Sequence, residues 1–241
     1  SAASDVYKRQ AQWAELGATT TVATAITALT ASPNPTQPNL EPPDSSSAEL
    51  DPPDPAAWLL TPDTWADRLK TALGQARAAL TAIAQTKEGS LRDLACTAIA
   101  LVATPQAVTV VQVGDGAVVV ADRQAKLTAL TRPPVAEYAN VTSFLTDEDW
   151  VETCQVETWT GDLAGLVMFS DGLQRIALEL PAGEPFEPFF RPLLSFVEAC
   201  DDLASGETDL KAFLRSPRLS DRTDDDLSLL LAAWPEPTSA P

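Results

Sequence analysis

Histidine is absent from this chain of 241 residues, and its absence excludes whole classes of chemistry. Without an imidazole there is no Ser-His-Asp or Cys-His catalytic pair, and no zinc site that uses histidine ligands. An enzyme of this composition must therefore rely on carboxylates. Carboxylate oxygens bind hard cations such as Mg2+ and Mn2+ most readily, so we expect any metal site to hold one of these ions.

Basic residues are scarce, at 16 Lys and Arg against 34 Asp and Glu, and the formal net charge is −18. Nucleic acids and anionic membrane surfaces bind basic protein faces, so this charge argues against both as partners. Divalent cations or basic partners fit the charge better. A hydrated acidic surface without any partner also accounts for it.

Long apolar runs and paired cysteines are missing as well. No run approaches the roughly 18 residues that a membrane span needs, so we expect a soluble protein. Cys96, Cys154 and Cys200 are scattered and odd in number, which argues against a disulfide framework or a cysteine-bound metal. We expect reduced thiols in a cytoplasmic protein.

Methionine occurs only once, at Met168, so the chain carries no initiator residue. We therefore expect that the natural N-terminus has been lost, and that residues 1–10, which show no periodicity, are a non-native or disordered leader. Residues 11–234 are expected to form one domain, because 241 residues suffice for one substantial core but hardly for two. The Pro-rich residues 235–241 are expected to be a disordered tail.

Apolar residues at helical spacing predict four helices and one helical turn. We expect the helices at residues 11–31, 61–86, 188–203 and 208–215, and the turn at residues 146–150. Thr61-Pro62-Asp63 is a strong helix start, with a capping hydroxyl, a proline in the first turn and an acid near the positive end of the helix dipole. Residues 32–55, rich in proline, serine and acids, predict a disordered loop or linker.

Short apolar or alternating runs predict six strands. They are expected at residues 95–103, 108–113, 117–121, 152–158 and 227–233, and in the apolar run that begins at Leu163 and stops at Asp171. Glycines on both sides of Asp115 predict a tight hairpin, and therefore a three-stranded meander. Because helices and strands do not alternate strictly, the order indicates an α+β fold, a sandwich of two mostly antiparallel sheets covered by helices.

Three of the predicted strands have aspartate at one end. The long apolar run stops at Asp171, a second strand leads into Asp115, and Asp224-Asp225-Asp226 leads into the last strand. Side chains alternate between the faces of a strand, so Asp225 is expected to point away from its two neighbours. Clustered carboxylates repel each other, and a divalent cation removes that cost. Taken alone, Asp115 also fits a simple turn and the triplet a hydrated loop.

Several stretches resemble, in order and separation, motifs of the PP2C (PPM) family of metal-dependent protein serine/threonine phosphatases. Phe169-Ser170-Asp171-Gly172-Leu173 is similar to the family's Ser-Asp-Gly motif, and Val113-Gly114-Asp115-Gly116 to its Gly-Asp-Ser hairpin. Asp225-Asp226-Leu227-Ser228 resembles the closing Asp-Asn-Ile-Thr strand. Cys96-Thr97-Ala98 resembles the start of the strand before the hairpin. The resemblance covers about residues 11–234.

One further stretch resembles a bacterial branch of the family: Glu137-Tyr138-Ala139-Asn140, followed by the segment from Phe144 to Trp150. Members of the family have an αββα sandwich fold. They hydrolyse phosphoserine and phosphothreonine with a metal-bridged water as the nucleophile. The resemblance therefore implies phosphoprotein substrates, and we expect a monomer that does not bind nucleic acid or membrane.

The resemblance also implies roles for individual aspartates. Asp171 and Asp225 would ligate the second of two bridged Mg2+ or Mn2+ ions, and Asp115 would bind a looser third ion together with Asp171. Other residues of the same motifs would support these ligands: Gly114, Gly116, Ser170, Gly172 and Asp226. No side-chain nucleophile is needed for this reaction, which agrees with the absence of histidine.

The chain departs from the family pattern at Gly116, where the family has serine, at Asp226, where it has asparagine, and at Ser228, where it has threonine. The family also begins with a strand that carries an arginine and an acidic motif, followed by an Asp-Gly-x-x-Gly turn whose aspartate bridges the two ions. Nothing before Ala11 matches these. We therefore expect an N-terminally truncated member, without the first strands of the sandwich, that is inactive or weakly active.

Two other interpretations stay open. The first is a non-catalytic PP2C-like module that binds a partner or senses a signal, for which a missing bridging aspartate is a natural state. The second is an acidic β-rich binding protein whose aspartates only form turns.

Overall fold

The computed structural model describes residues 62–133 and 142–234. Several predictions lie outside the described residues: those for residues 1–10, 11–31, 32–55 and 235–241, the cap at Thr61, and the motif from Glu137 to Asn140.

The first described element is a long helix, α1 (Pro62–Thr86), and it ends where the apolar periodicity predicts. Its buried stripe consists of Leu69, Leu73, Ala76 and Leu80, each at most 1% exposed. These side chains recur three or four positions apart, so they share one face of the helix. That face packs against the sheet that contains Val111 and Val113.

Nine strands follow in the described residues. They are β1 (Ala98–Thr104), β2 (Ala107–Val113), β3 (Ala117–Asp122), β4 (Leu127–Thr131), β5 (Gln155–Thr160), β6 (Leu163–Phe169), β7 (Leu178–Glu179), β8 (Glu184–Pro185) and β9 (Leu229–Ala233). One sheet has the order β1-β2-β5, a second has the order β4-β3-β6-β9, and β7 pairs with β8. All these pairs are antiparallel, as expected.

The short helices of the described residues flank these strands. They are a 3-10 turn (Leu91–Leu94), α2 (Trp150–Thr153), a second 3-10 turn (Asp171–Leu173), α3 (Gln174–Ala177), α4 (Glu187–Glu198), α5 (Leu203–Leu214) and α6 (Pro217–Ser220). Among the described residues, no helix has both the length and the apolar character that crossing a bilayer requires.

The predicted three-stranded meander is wrong, because the chain changes sheets between β2 and β3. β2 pairs with β1 and β5, whereas β3 pairs with β4 and β6. The reason is burial: Val108 and Val110 of β2 pack face to face with Val118 and Val120 of β3 in one cluster. Two strands that are apolar on both faces are buried more completely in opposite sheets than side by side.

Two predicted helix boundaries are also wrong. The structure divides the region at Asp202, whose carboxylate accepts hydrogen bonds from the backbone N–H groups of Ala204 and Ser205 at 3.3 and 3.1 Å. Such a cap starts a helix, so α5 begins at Leu203 rather than at residue 208, and α4 ends at Glu198. The helical turn expected at residues 146–150 lies instead at Trp150–Thr153, and β5 begins after it.

Three apolar clusters define the layers. The first lies between the two sheets, the second between α1 and the outer face of the β1-β2-β5 sheet, and the third between α4 and the outer face of the other sheet. The alternation along β6 shows the arrangement: Leu166 faces the other sheet, while Val167 and Phe169 face α4. The molecule is therefore an αββα sandwich, as the sequence predicts.

Candidate functional site

The ends of three strands meet at one edge of the four-stranded sheet. Phe169, the last residue of β6, pairs with Ala117 at the start of β3 and with Leu229 at the start of β9. Asp115 lies just before β3, Asp171 just after β6, and Asp225 shortly before β9. The register therefore brings the three aspartates that the sequence singles out to the same edge.

Ser170 connects this edge to the acidic triplet. Its backbone N–H donates to the carbonyl of Ser228 at 3.1 Å. Its hydroxyl donates to the carbonyl of Asp226 at 3.2 Å and accepts from the N–H of Ser228 at 3.0 Å. These bonds extend the pairing of β6 and β9 beyond the strand ends, and they hold the backbone around Asp226 beside Asp171.

Gly172 is required by the close approach of the same segment. A Cβ atom at this position would lie 2.8 Å from the carbonyl oxygen of Asp226 and 3.2 Å from Cβ of Asp225. The backbone N–H of Gly172 also donates to Oδ1 of Asp171 at 3.0 Å, which orients that carboxylate. A side chain at position 172 would force the two acidic segments apart.

The acidic triplet does not lie in a strand, so the predicted alternation of its side chains is wrong. β9 begins only at Leu229, and residues 224–226 form a bend before it. The N–H of Asp225 donates to the hydroxyl of Thr223 at 3.2 Å rather than to a neighbouring strand. A threonine two residues earlier offers the backbone this local partner, and the chain turns there.

Asp115 is held by two residues that sequence reasoning missed. The hydroxyl of Thr142 donates to Oδ2 of Asp115 at 2.9 Å. The side-chain amide of Gln174 donates to the backbone carbonyl of Asp115. A weak sequence signal existed for both, because Thr142 precedes the motif that begins at Phe144 and Gln174 follows Asp171 by three positions.

The pKa of the Asp171 carboxyl is raised above its ordinary value. Partial burial is the largest cause, and the negative charge of Asp115 adds to it. The N–H of Gly172 acts in the opposite direction, and the charge of Asp225 raises the pKa further. The charges of Asp115 and Asp225 therefore both act on Asp171.

The three aspartates offer the type of ligand that a hard divalent cation prefers. All three side chains offer carboxylate oxygens, and a cation would remove the repulsion that raises the pKa of Asp171. Within residues 62–133 and 142–234, however, no three side chains of Asp, Glu, Cys or His are already grouped closely enough to hold an ion.

The turn that carries Asp115 depends on glycine. Gly114 has φ of +103°, and a Cβ there would lie 2.3 Å from Cγ2 of Thr97. At Gly116 a Cβ would lie 2.8 Å from the carbonyl oxygen of Phe169, at the end of β6. The buried amide of Gln112 donates to the carbonyls of both glycines, at 3.3 and 2.6 Å. These contacts fix the path of the chain from one sheet to the other.

A model of the protein phosphatase 2C family matches residues 9–215 of the chain. The chain belongs to the protein phosphatase 2C family. The match includes the segments of Asp115 and Asp171 and stops before Asp225, so the role of Asp225 depends on the structure and on the resemblance of its motif.

Similarity to a known protein supports the same family. The chain is 41% identical to serine/threonine-protein phosphatase 3 of Escherichia coli (strain K12) over 162 residues, which cover 66% of this chain and 64% of that protein. The aligned part thus spans somewhat less than two thirds of the relative.

Solved structures show the same fold at low identity. The serine/threonine phosphatase PstP/Ppp of Mycobacterium tuberculosis has a TM-score of 0.50 and 14% identity, and the match covers 91% of this chain and 81% of that one. A PstP catalytic domain in complex with two manganese ions has a TM-score of 0.51 and 14% identity. The match covers 91% of this chain and 80% of that one. At this identity the matches support the fold alone.

In this protein phosphatase 2C domain, we expect Gly114→Ala to destabilise the fold and Gly74→Ala to stabilise it. A Cβ at position 114 meets Thr97 in a positive-φ conformation that alanine adopts poorly, at a cost of about 1–3 kcal/mol. Gly74 lies inside α1, and its Cβ would meet Trp150 at an ordinary 3.7 Å, so alanine should add about 0.5–1 kcal/mol. Urea denaturation measures the free energy of unfolding of both variants, and the two changes should have opposite signs. Equal changes in this free energy would contradict the role of the Gly114 turn.

We also expect a pH-dependent effect of Asp171→Asn in the metal-free protein. A raised folded-state pKa means that the charged Asp171 carboxylate destabilises the fold above that pKa, whereas below the ordinary pKa of aspartate the effect vanishes. Asparagine keeps an oxygen for the N–H of Gly172 and carries no charge. With EDTA present, the variant should therefore melt at a higher temperature than the unaltered protein at pH 7, and the gap should close as the pH falls toward about 4. A gap that widens on acidification would contradict the raised pKa of Asp171.

Proposed function

We propose that the protein is a metal-dependent protein serine/threonine phosphatase that hydrolyses phosphoserine and phosphothreonine. The observation that carries the proposal is that strand register brings Asp115, Asp171 and Asp225 to one edge of the four-stranded sheet. Family membership supports it. The names of the relatives, serine/threonine-protein phosphatase 3 and serine/threonine phosphatase PstP/Ppp, support the same reaction.

The cofactor that fits is Mg2+ or Mn2+, as two or three ions in the complete site. Asp171 and Asp225 would hold one ion, and Asp115 and Asp171 would share another, looser one. The PstP catalytic domain in complex with two manganese ions supports this choice. Such ions, when bound, lower the pKa of water and neutralise negative charge on a phosphoryl group.

The residues around the aspartates position them. The N–H of Gly172 orients one oxygen of Asp171, and the hydroxyl of Ser170 fixes the backbone of Asp226. Gly114 and Gly116 let the chain cross between the sheets so that Asp115 arrives beside Asp171. Because the chain has no histidine, proton transfer in this site falls to carboxylates and water.

A phosphatase assay tests the proposal directly. We expect weak turnover of phosphoserine and phosphothreonine peptides, and of p-nitrophenyl phosphate, that requires Mn2+ and disappears with EDTA. A phosphotyrosine peptide of the same sequence serves as the matched control substrate and should react more slowly. Turnover that persists without metal would overturn the proposal.

A second candidate is a non-catalytic protein phosphatase 2C module that binds a partner. It is favoured by one observation: among the described residues no three ligand-type side chains are grouped for a metal ion. Binding of a phosphopeptide without turnover at saturating Mn2+ would select this function over the enzyme.

We propose that the protein is a monomer that acts on phosphoproteins in the cytoplasm. The side chains of Cys96, Cys154 and Cys200 are thiols, which suits a reducing compartment. Light scattering after gel filtration measures the mass, and a dimer would contradict the monomer. Cell fractionation measures the compartment.

A further inference from the structure

We propose that Thr142 and Gln174 are positioning residues that hold Asp115 against Asp171 and thereby set the affinity for the divalent cation that these two aspartates share. The inference rests on the proposed function and deepens it. Neither residue belongs to the motifs that suggested the metal site. Both contact Asp115 directly, one at its side chain and one at its backbone.

Thr142 acts on the carboxylate itself. Its hydroxyl donates to Oδ2 of Asp115 at 2.9 Å, and the contact is partly buried. A hydrogen bond to one carboxylate oxygen fixes the rotation of the group and leaves the other oxygen for a cation. Residues that bond a ligand in this way tune metal affinity without touching the ion.

The segment that begins two residues after Thr142 is tied to the rest of the fold. The N–H of Leu145 donates to the carbonyl of Cys96 at 2.8 Å, and the side chain of Leu145 is fully buried. The N–H of Phe144 donates to Oδ2 of Asp147 at 2.7 Å. From α1, the guanidinium of Arg77 donates to the carbonyl of Thr146 at 3.2 Å. Thr142 therefore lies next to an anchored segment of the chain.

Gln174 links the two acidic turns. Its backbone N–H donates to the carbonyl of Asp171 at the end of the 3-10 turn. Its side-chain amide donates to the carbonyl of Asp115. One residue thus holds the backbone of both aspartates, and its position three residues after Asp171 makes this possible.

These bonds oppose the electrostatic repulsion between two like charges. Gln174 bonds the backbone of both Asp115 and Asp171 and so keeps the two carboxylates near each other. If the holding bonds are lost, a cation must first bring the carboxylates back. Its affinity then falls, while the fold, which depends on the three apolar clusters, remains.

The test compares Mn2+ binding by calorimetry in four forms of the full chain. We expect Thr142→Val, which keeps the shape and removes the donor, to weaken the weakest Mn2+ site about tenfold. Thr142→Ser keeps the hydroxyl and should restore affinity to within about twofold of the unaltered protein. Thr208→Val, which removes an exposed hydroxyl on α5 that donates to the carbonyl of Ala204, is the matched control and should change nothing.

Metal-free crystal structures of the unaltered protein and of Thr142→Val give a second readout that does not depend on loading or turnover. We expect the Asp115 carboxylate to turn away from Asp171 in the variant. Unchanged Mn2+ affinity in Thr142→Val, or a carboxylate that stays in place, would overturn the positioning role while Mn2+-dependent turnover still supports the proposed function. If the unaltered protein binds no Mn2+, the proposed function and the inference that rests on it both fall.

Discussion

Asp171→Asn should lower Mn2+-dependent turnover by at least about a hundredfold. Asp171 is the aspartate common to both proposed cation sites, and the charges of Asp115 and Asp225 both act on it. Replacing its carboxylate by an amide removes one negative charge from each site. A bound cation contributes several kcal/mol to phosphoryl transfer, and a loss of about 3 kcal/mol corresponds to about a hundredfold in rate. Initial rates with p-nitrophenyl phosphate over a range of Mn2+ concentrations measure the effect.

The matched control for that substitution is Asp201→Asn, which makes the same chemical change at an exposed position between α4 and α5. Its turnover and Mn2+ dependence should equal those of the unaltered protein. Calorimetry of Asp171→Asn should also show fewer or weaker Mn2+ sites. If the variant keeps full turnover and full Mn2+ binding, Asp171 is not a ligand and the proposed site is wrong.

Phe190→Ala should lower the stability of the protein by about 3–5 kcal/mol. Phe190 lies on α4 and is 0% exposed. Its ring contacts those of Phe169 and Phe189, with centroids 6.0 and 5.2 Å away. Truncation leaves a cavity between α4 and the sheet, in the cluster that contains the end of β6. A loss of this size lowers the melting temperature by about 10 °C in a domain of this length.

Phe186→Ala provides the control for the core substitution. Phe186 lies at the start of the same helix but is 40% exposed, so its truncation should change the melting temperature much less. Thermal denaturation of both variants followed by circular dichroism measures the difference. Equal shifts would contradict the packing of α4 against the four-stranded sheet.

Much of the fold was predictable because its signals are local. The apolar spacing of α1 places Leu69, Leu73 and Leu80 on one face, and the helix ends at Thr86 as that spacing indicates. The valine-rich runs of β2 and β3 predict strands with nearly the bounds observed. Helical and extended periodicity are properties of neighbouring residues, so a single sequence reveals them.

Pairing between strands was predicted less well. The glycines around Asp115 fit a hairpin as well as a crossing between sheets, and only the packing of Val108 and Val110 against Val118 and Val120 decides between them. The triplet ending at Asp226 bends because Thr223 and Ser170 offer hydrogen-bond partners. Ser170 comes from a distant part of the chain. The turn at Thr223 is local, but its alternatives differ little from it in free energy.

The sequence by itself determined the chemistry available to this protein and the kind of elements it forms. A chain with no histidine, three scattered cysteines and an excess of acids favours a metal site with oxygen ligands, and its three aspartate motifs are visible in the printed sequence. Only the tertiary structure decided that Asp115, Asp171 and Asp225 lie at the same edge of the four-stranded sheet, and that Thr142 and Gln174 bond the first of them. The physical reason is that composition and periodicity act within a few residues, whereas the site depends on strand register and on burial between two sheets.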